Sequence, residues 1–138
     1  MQTVLLIDDD HVTNVFHTLV LKRTQITEQI LTMETPEIAL EHLQKASKAA
    51  KGGASFGQMT MPELIFLDVN MPRMTGFEFL KEFQKLDCGQ SKSIVYMLTA
   101  GYFSLEHDKF LHFDFVKGVI QKPLTKEYVK QIVETHFQ

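Results

Sequence analysis

The chain has 138 residues, which suits one domain with a single core that buries roughly 68–70% of the surface its unfolded form exposes. It is 44% hydrophobic and 22% charged, and a formal charge of −3 gives it no electrostatic footprint for nucleic acid or an anionic membrane. No apolar run approaches membrane-spanning length, the start Met1-Gln2-Thr3-Val4 lacks signal-peptide features, and the lone Cys88 has no internal partner, so a reducing, cytoplasmic setting is expected.

Val4-Leu5-Leu6-Ile7 is a continuous apolar run ended by Asp8, Asp9 and Asp10, and it reads as a strand buried on both faces. Val12, Val15, Phe16, Leu19 and Val20 then recur at helical spacing. The weaker stretch from Ile26 to Met33 supplies a second strand. Pro36 is a first-turn proline with Thr35 as N-cap, followed by Ile38, Leu40 and Leu43 at helical spacing. From Ala46 to Thr60, Lys48, Lys51, Gly52, Gly53 and Gly57 mark a helix end running into an elongated surface loop. Leu64-Ile65-Phe66-Leu67 repeats the first pattern and ends in Asp68. Phe77, Leu80 and Phe83 follow Gly76 as a third helix. Ile94 to Leu98 form a fourth strand ending at Thr99, and Ser104 to Phe113 reads as helical. Val119-Ile120 mark a fifth strand ending at Lys122-Pro123, and Thr125 caps a last helix carrying Tyr128, Val129, Ile132 and Val133. A strand–helix alternation repeated five times predicts an α/β fold: a doubly wound, five-stranded parallel sheet with helices on both faces.

In open α/β sheets ligands bind beyond the carboxyl ends of the strands, where the winding order switches. In the flavodoxin-like strand order 2-1-3-4-5, the first and third strands are neighbours, which brings Asp8 and Asp9 to Asp68. Carboxylates packed together repel one another, and a hard divalent cation with oxygen ligands, magnesium, is the natural compensator. Asp10 taken alone reads better as the N-cap of the first helix. A strand-end Thr99 or Lys122 is unremarkable by itself. Beside the acids they set a hydroxyl and an ammonium around an anionic centre, which suits a phosphoryl group with Asp68 as its acceptor. The six histidines show no i, i+4 pair and none lies at ligand spacing from a cysteine, so they are expected at the surface.

With these residues in order, the chain resembles the receiver domains of two-component response regulators, from Val4 almost to its end. The resemblance rests on Val-Leu-Leu-Ile-Asp-Asp-Asp at 4–10, Leu-Ile-Phe-Leu-Asp-Val-Asn-Met-Pro at 64–72 with Gly76, Leu-Thr-Ala at 98–100 and Gln-Lys-Pro-Leu at 121–124. It implies a single receiver over 1–138 whose Asp68 accepts a phosphoryl group from a histidine kinase or a histidine phosphotransfer protein. It also implies magnesium bound through the carboxylates of Asp9 and Asp68 and the backbone carbonyl of Asn70, with Asp8 acting mainly through a water. Thr99 would hydrogen-bond the phosphoryl group, Lys122 would pair with it, and the Lys122-Pro123 bond would often be cis. Nothing follows Gln138, so the expected output is an unidentified protein target or onward phosphotransfer, with dimerisation on phosphorylation left open. The readout face would be the fourth helical segment, the fifth strand and the last helix, including residues among Leu105 to Phe113, Val119 and Tyr128.

Two features depart from the family pattern. The interval from Asp9 to Asp68 is long, with the excess in the Gly-rich loop near 51–60. Receivers commonly carry an aromatic residue three positions before the lysine, and here that position is Val119, with Tyr102, Phe103 or Phe115 as substitutes. Two other readings compete. A magnesium-dependent phosphohydrolase would want an acid two residues after its nucleophile, where this chain has Asn70. A phosphate-independent receiver-like binding module would be expected to lack one of the site residues, and all are present.

Overall fold

The computed structural model describes residues 1–52, 61–86, 93–101 and 105–137. In chain order the elements are β1 (Thr3–Ile7), α1 (His11–Thr24), β2 (Gln29–Met33), α2 (Pro36–Gly52), β3 (Leu64–Asp68), α3 (Gly76–Gln84), β4 (Ile94–Thr99), a 3-10 segment (Leu105–His112), β5 (Val116–Gln121) and α4 (Lys126–His136). The strands form one parallel sheet in the order β2-β1-β3-β4-β5, the doubly wound arrangement expected.

Because side chains alternate along a strand, each apolar run feeds two cores. Leu5, Ile7, Ile65, Leu67, Val95 and Met97 face α2, α3 and the 3-10 segment, where Phe79, Phe83, Phe110, Phe113 and Phe115 pack. Val4, Leu6, Leu64, Phe66, Leu98 and Ile120 face α1 and α4. Among the described residues, no helix is long and apolar enough to cross a membrane.

The expected caps are in place. Asp10 accepts from the Thr13 amide at 3.2 Å, Thr35 from Ile38 at 3.2 Å, and Thr125 from Tyr128 at 3.2 Å. Thr75 and Glu78 form a reciprocal capping box at the start of α3. The Lys122-Pro123 peptide bond is cis.

Two expectations are corrected and one is refined. Of the apolar residues that signal α1 only Val20 lies on its buried face: Val12 is 72% exposed and Phe16 49%, with Val15 and Leu19 similar, while Asn14, His17, Val20 and Leu21 are buried. Its polar members make tethers, Asn14 to the Asp8 carbonyl and His17 to the Leu124 amide. His17 therefore breaks the expectation of surface histidines. The fourth helical segment is present as a 3-10 helix over Leu105–His112; Phe110 within it and Phe113 just after it both pack against Phe77. Phe115 contacts Phe83 and Phe113 in the core. Tyr102, Phe103 and most of the Gly-rich loop lie outside the described residues.

Candidate functional site

Register builds the site. Ile7 of β1 pairs with Leu67 of β3, so the next residues, Asp8 and Asp68, emerge side by side. Asp8 is 2% exposed and Asp68 4%, whereas Asp9 is exposed at the rim. Asp8, Asp9 and Asp68 bring carboxylate oxygens within 4.8 Å of one another. On the far side of β3, Thr99 pairs in register with Gln121, and the Lys122 amide donates to the Thr99 carbonyl at 2.8 Å. Asp8, Asp9, Asp68, Thr99 and Lys122 thus converge on one sheet edge, as expected. Asn70 lies exposed just past Asp68, and its amide donates to Asp68 Oδ1 at 3.4 Å.

Lys122 lies between the two buried acids, its Nζ at 2.7 Å from Asp8 Oδ2 and 3.2 Å from Asp68 Oδ1. One ammonium does not neutralise the cluster. Burial, reinforced by the Asp8 charge and opposed by Lys122, pushes the Asp68 carboxyl up to about 6. Burial lowers the Lys122 ammonium, but hydrogen bonding and attraction from Asp8 and Asp68 outweigh it and leave its pKa raised. Three carboxylates against one cation leave an excess of two negative charges in an all-oxygen donor set, which matches a hard divalent cation.

Local backbone holds these groups. The Asp8 amide donates to Met33 O at 3.1 Å, and Asp8 Oδ1 accepts the Asp10 amide at 2.9 Å. The Val69 amide donates to Leu98 O at 2.9 Å, and the Gly76 amide to Val69 O at 2.9 Å, closing the loop after Asp68 onto α3. Gly76 is required there: a Cβ would stand 2.9 Å from the Asp68 carbonyl oxygen.

The family description "Response regulator receiver domain" matches residues 4–134. The chain belongs to that family. It is similar to a two-component response regulator from Cytophaga hutchinsonii, with 26% identity, 98% of this chain and 96% of that one covered, and a TM-score of 0.84. The chemotaxis protein CheY4 of Vibrio cholerae is 27% identical, with 98% of each chain covered and a TM-score of 0.70. The receiver domain of the histidine kinase CKI1 from Arabidopsis thaliana, crystallised with Mg2+, shares the fold at 18% identity, 97% and 91% coverage and a TM-score of 0.81. A comparison with curated proteins returns no match.

The family is regulatory, and its members work in two-component signalling, as expected from the quoted motifs. Two residues that support the site escaped the sequence reading. Asn14 Nδ2 donates to the Asp8 carbonyl at 2.9 Å, and His17 Nε2 accepts the Leu124 amide at 3.1 Å. Their signal was present: 14, 17 and 21 share one helical face with spacings of three and four, but two of the three are polar.

Proposed function

We propose that residues 1–138 act as one receiver unit whose Asp68 accepts a phosphoryl group, in a magnesium-dependent reaction, from a phosphohistidine on a kinase or phosphotransfer protein. The observation that carries this reading is a buried Asp68 with a raised pKa, held beside Asp8 and Lys122 at a rim open to solvent at Asp9 and Asn70. Asp9 and Asp68 would hold the cation through their carboxylates and Asn70 through its backbone carbonyl, with Asp8 acting mainly through a water. When bound, magnesium neutralises the acids and the charge of the incoming phosphoryl oxygens.

Both described contacts of the Asp68 carboxylate, from Lys122 and the Asn70 amide, fall on Oδ1, which leaves Oδ2 as the attacking oxygen. Oδ2 forms the new P–O bond while the P–N bond to the donor imidazole breaks, and the electron pair leaves with that nitrogen. The product is an acyl phosphate on Asp68. Lys122 pairs with the added charge, and the Thr99 hydroxyl, which accepts the Gly101 amide at 3.2 Å, turns to donate to a phosphoryl oxygen. Asn70 has no acidic proton to give a leaving group, which disfavours the phosphohydrolase reading. The output surface is the 3-10 segment, β5 and α4, where Leu111 and Tyr128 are exposed and Val119 is half-buried beside a groove of about 260 Å3.

Intact mass after incubation with acetyl phosphate, with and without magnesium, tests the reading. One phosphoryl adduct that needs magnesium and is absent from Asp68→Asn is expected. A folded protein with no adduct in either condition overturns it in favour of phosphate-independent binding.

A further inference from the structure

The face that α1 turns inward near the site is polar, and it reaches both halves of the charge cluster. Asn14 holds the carbonyl of Asp8 at the end of β1. One turn later His17, 1% exposed, accepts the amide of Leu124, two residues past Lys122. We propose that His17 is a positioning residue for phosphoryl acceptance: its Nε2 fixes the backbone beyond β5 and thereby holds the Lys122 ammonium between Asp8 and Asp68. This inference rests on the phosphoacceptor reading above.

Three observations carry it. A buried imidazole costs desolvation that an aliphatic side chain would avoid, and its hydrogen bond to the Leu124 amide offsets that cost. The Leu124 residue is itself buried, and its amide would lose its acceptor if Nε2 were removed. An accepting Nε2 places the ring proton on Nδ1 and makes the imidazole neutral. Burial favours that state by lowering the His17 pKa; of the charged groups facing it, Asp8 opposes the shift and Lys122 reinforces it.

The same face contains two complementary atoms. Among the described residues, His17 Nδ1 and Asn14 Oδ1 are buried without a hydrogen-bond partner, one a donor and the other an acceptor three residues apart. Residues at that spacing are neighbours on a helix surface. A link between them would join the Leu124 amide, His17, Asn14 and the Asp8 carbonyl into one line of polar groups tying the end of β5 to the end of β1.

The test compares wild-type protein, His17→Leu and His17→Gln, well below the unfolding temperature and at saturating magnesium. Leu fills the space without an acceptor, and Gln restores one. His17→Leu is expected to slow adduct formation from acetyl phosphate about three- to tenfold, the factor of one neutral hydrogen bond, with the magnesium dependence of thermal stability unchanged. His17→Gln is expected to recover most of the rate, and Leu124 amide exchange should rise in the Leu variant alone. A wild-type rate in His17→Leu, or a Gln variant as slow as the Leu variant, overturns the proposal. Long-range 1H–15N spectra of the wild type test the tether itself: a protonated Nδ1 and an accepting Nε2 support it, and a protonated Nε2 refutes it. If the wild type takes no phosphoryl group the receiver chemistry fails, while the ring tautomer and Leu124 exchange still decide whether the tether exists.

Discussion

Replacing Gly76 with alanine tests how tightly α3 is packed against the backbone that carries Asp68. The new Cβ would lie 2.9 Å from the Asp68 carbonyl oxygen, 2.9 Å from Met97 Cε and 3.2 Å from Val69 Cα. Met97 Cε is the end of a flexible side chain and can yield. The carbonyl and Cα are backbone, held by the Val69-to-Leu98 and Gly76-to-Val69 hydrogen bonds, both 2.9 Å, so relief requires the loop after Asp68 to move. Overpacking of this kind costs about 1–3 kcal/mol. Alanine recovers up to about 1 kcal/mol through helix propensity and a less entropic unfolded chain, less at the first helical position. The clash therefore wins by about 1–2 kcal/mol, a fall in Tm of roughly 3–8 °C for a chain of this size. Thermal unfolding followed by circular dichroism reads the stability, and intact mass with acetyl phosphate reads the site. Slower adduct formation is expected because the backbone of Asp68 moves. An unchanged or raised Tm with a normal rate would refute the packing argument.

The charge cluster should make stability depend on pH. The Asp68 pKa is about 6 in the folded protein against an ordinary 3.8, so the folded state holds this proton more tightly. This group's contribution is therefore most favourable in acid and is lost as pH rises through that window, by at most roughly 3 kcal/mol. Without magnesium, Asp68→Asn is expected to raise Tm at neutral pH and to have little effect near pH 4. A thermal-unfolding series in pH checks both ends. Thr75→Ala removes the capping box of α3 and should cost about 1 kcal/mol in denaturant unfolding. On α1, Phe16→Ser should stay within about 0.5 kcal/mol of wild type while Leu21→Ala loses about 2–5 kcal/mol; the opposite order would mean that the helix is rotated the other way.

Much of the fold was legible because the runs at Val4–Ile7, Leu64–Leu67 and Ile94–Leu98 are apolar on both faces and alternate with helical patterns, as a covered parallel sheet requires. The acidic site was legible for a related reason. Once β1 and β3 are neighbours, the residues immediately after them, Asp8 and Asp68, have to meet. The rotation of α1 was not legible. Hydrophobic spacing pointed to Val12 and Phe16, but the buried face carries Asn14, bonded to the nearby Asp8 carbonyl, and His17, bonded to the distant Leu124 amide. The His17 bond depends on where the chain returns after β5, more than a hundred residues further along, and no local pattern encodes that. The helical segment expected over Ser104 to Phe113 is present as Leu105–His112, and only its 3-10 type was not legible, because Phe110 and Phe113 are spaced equally well for an α-helical or a 3-10 face.

The central claim is that Asp68 is the acceptor, and trapping the acyl phosphate tests it most directly. The protein is incubated with acetyl phosphate and magnesium, reduced with borohydride, digested and sequenced by mass spectrometry. Conversion of residue 68 alone to homoserine is the expected result. Reduction at Asp8 or Asp9, or a phosphoryl group that survives borohydride on another side chain, would contradict the account.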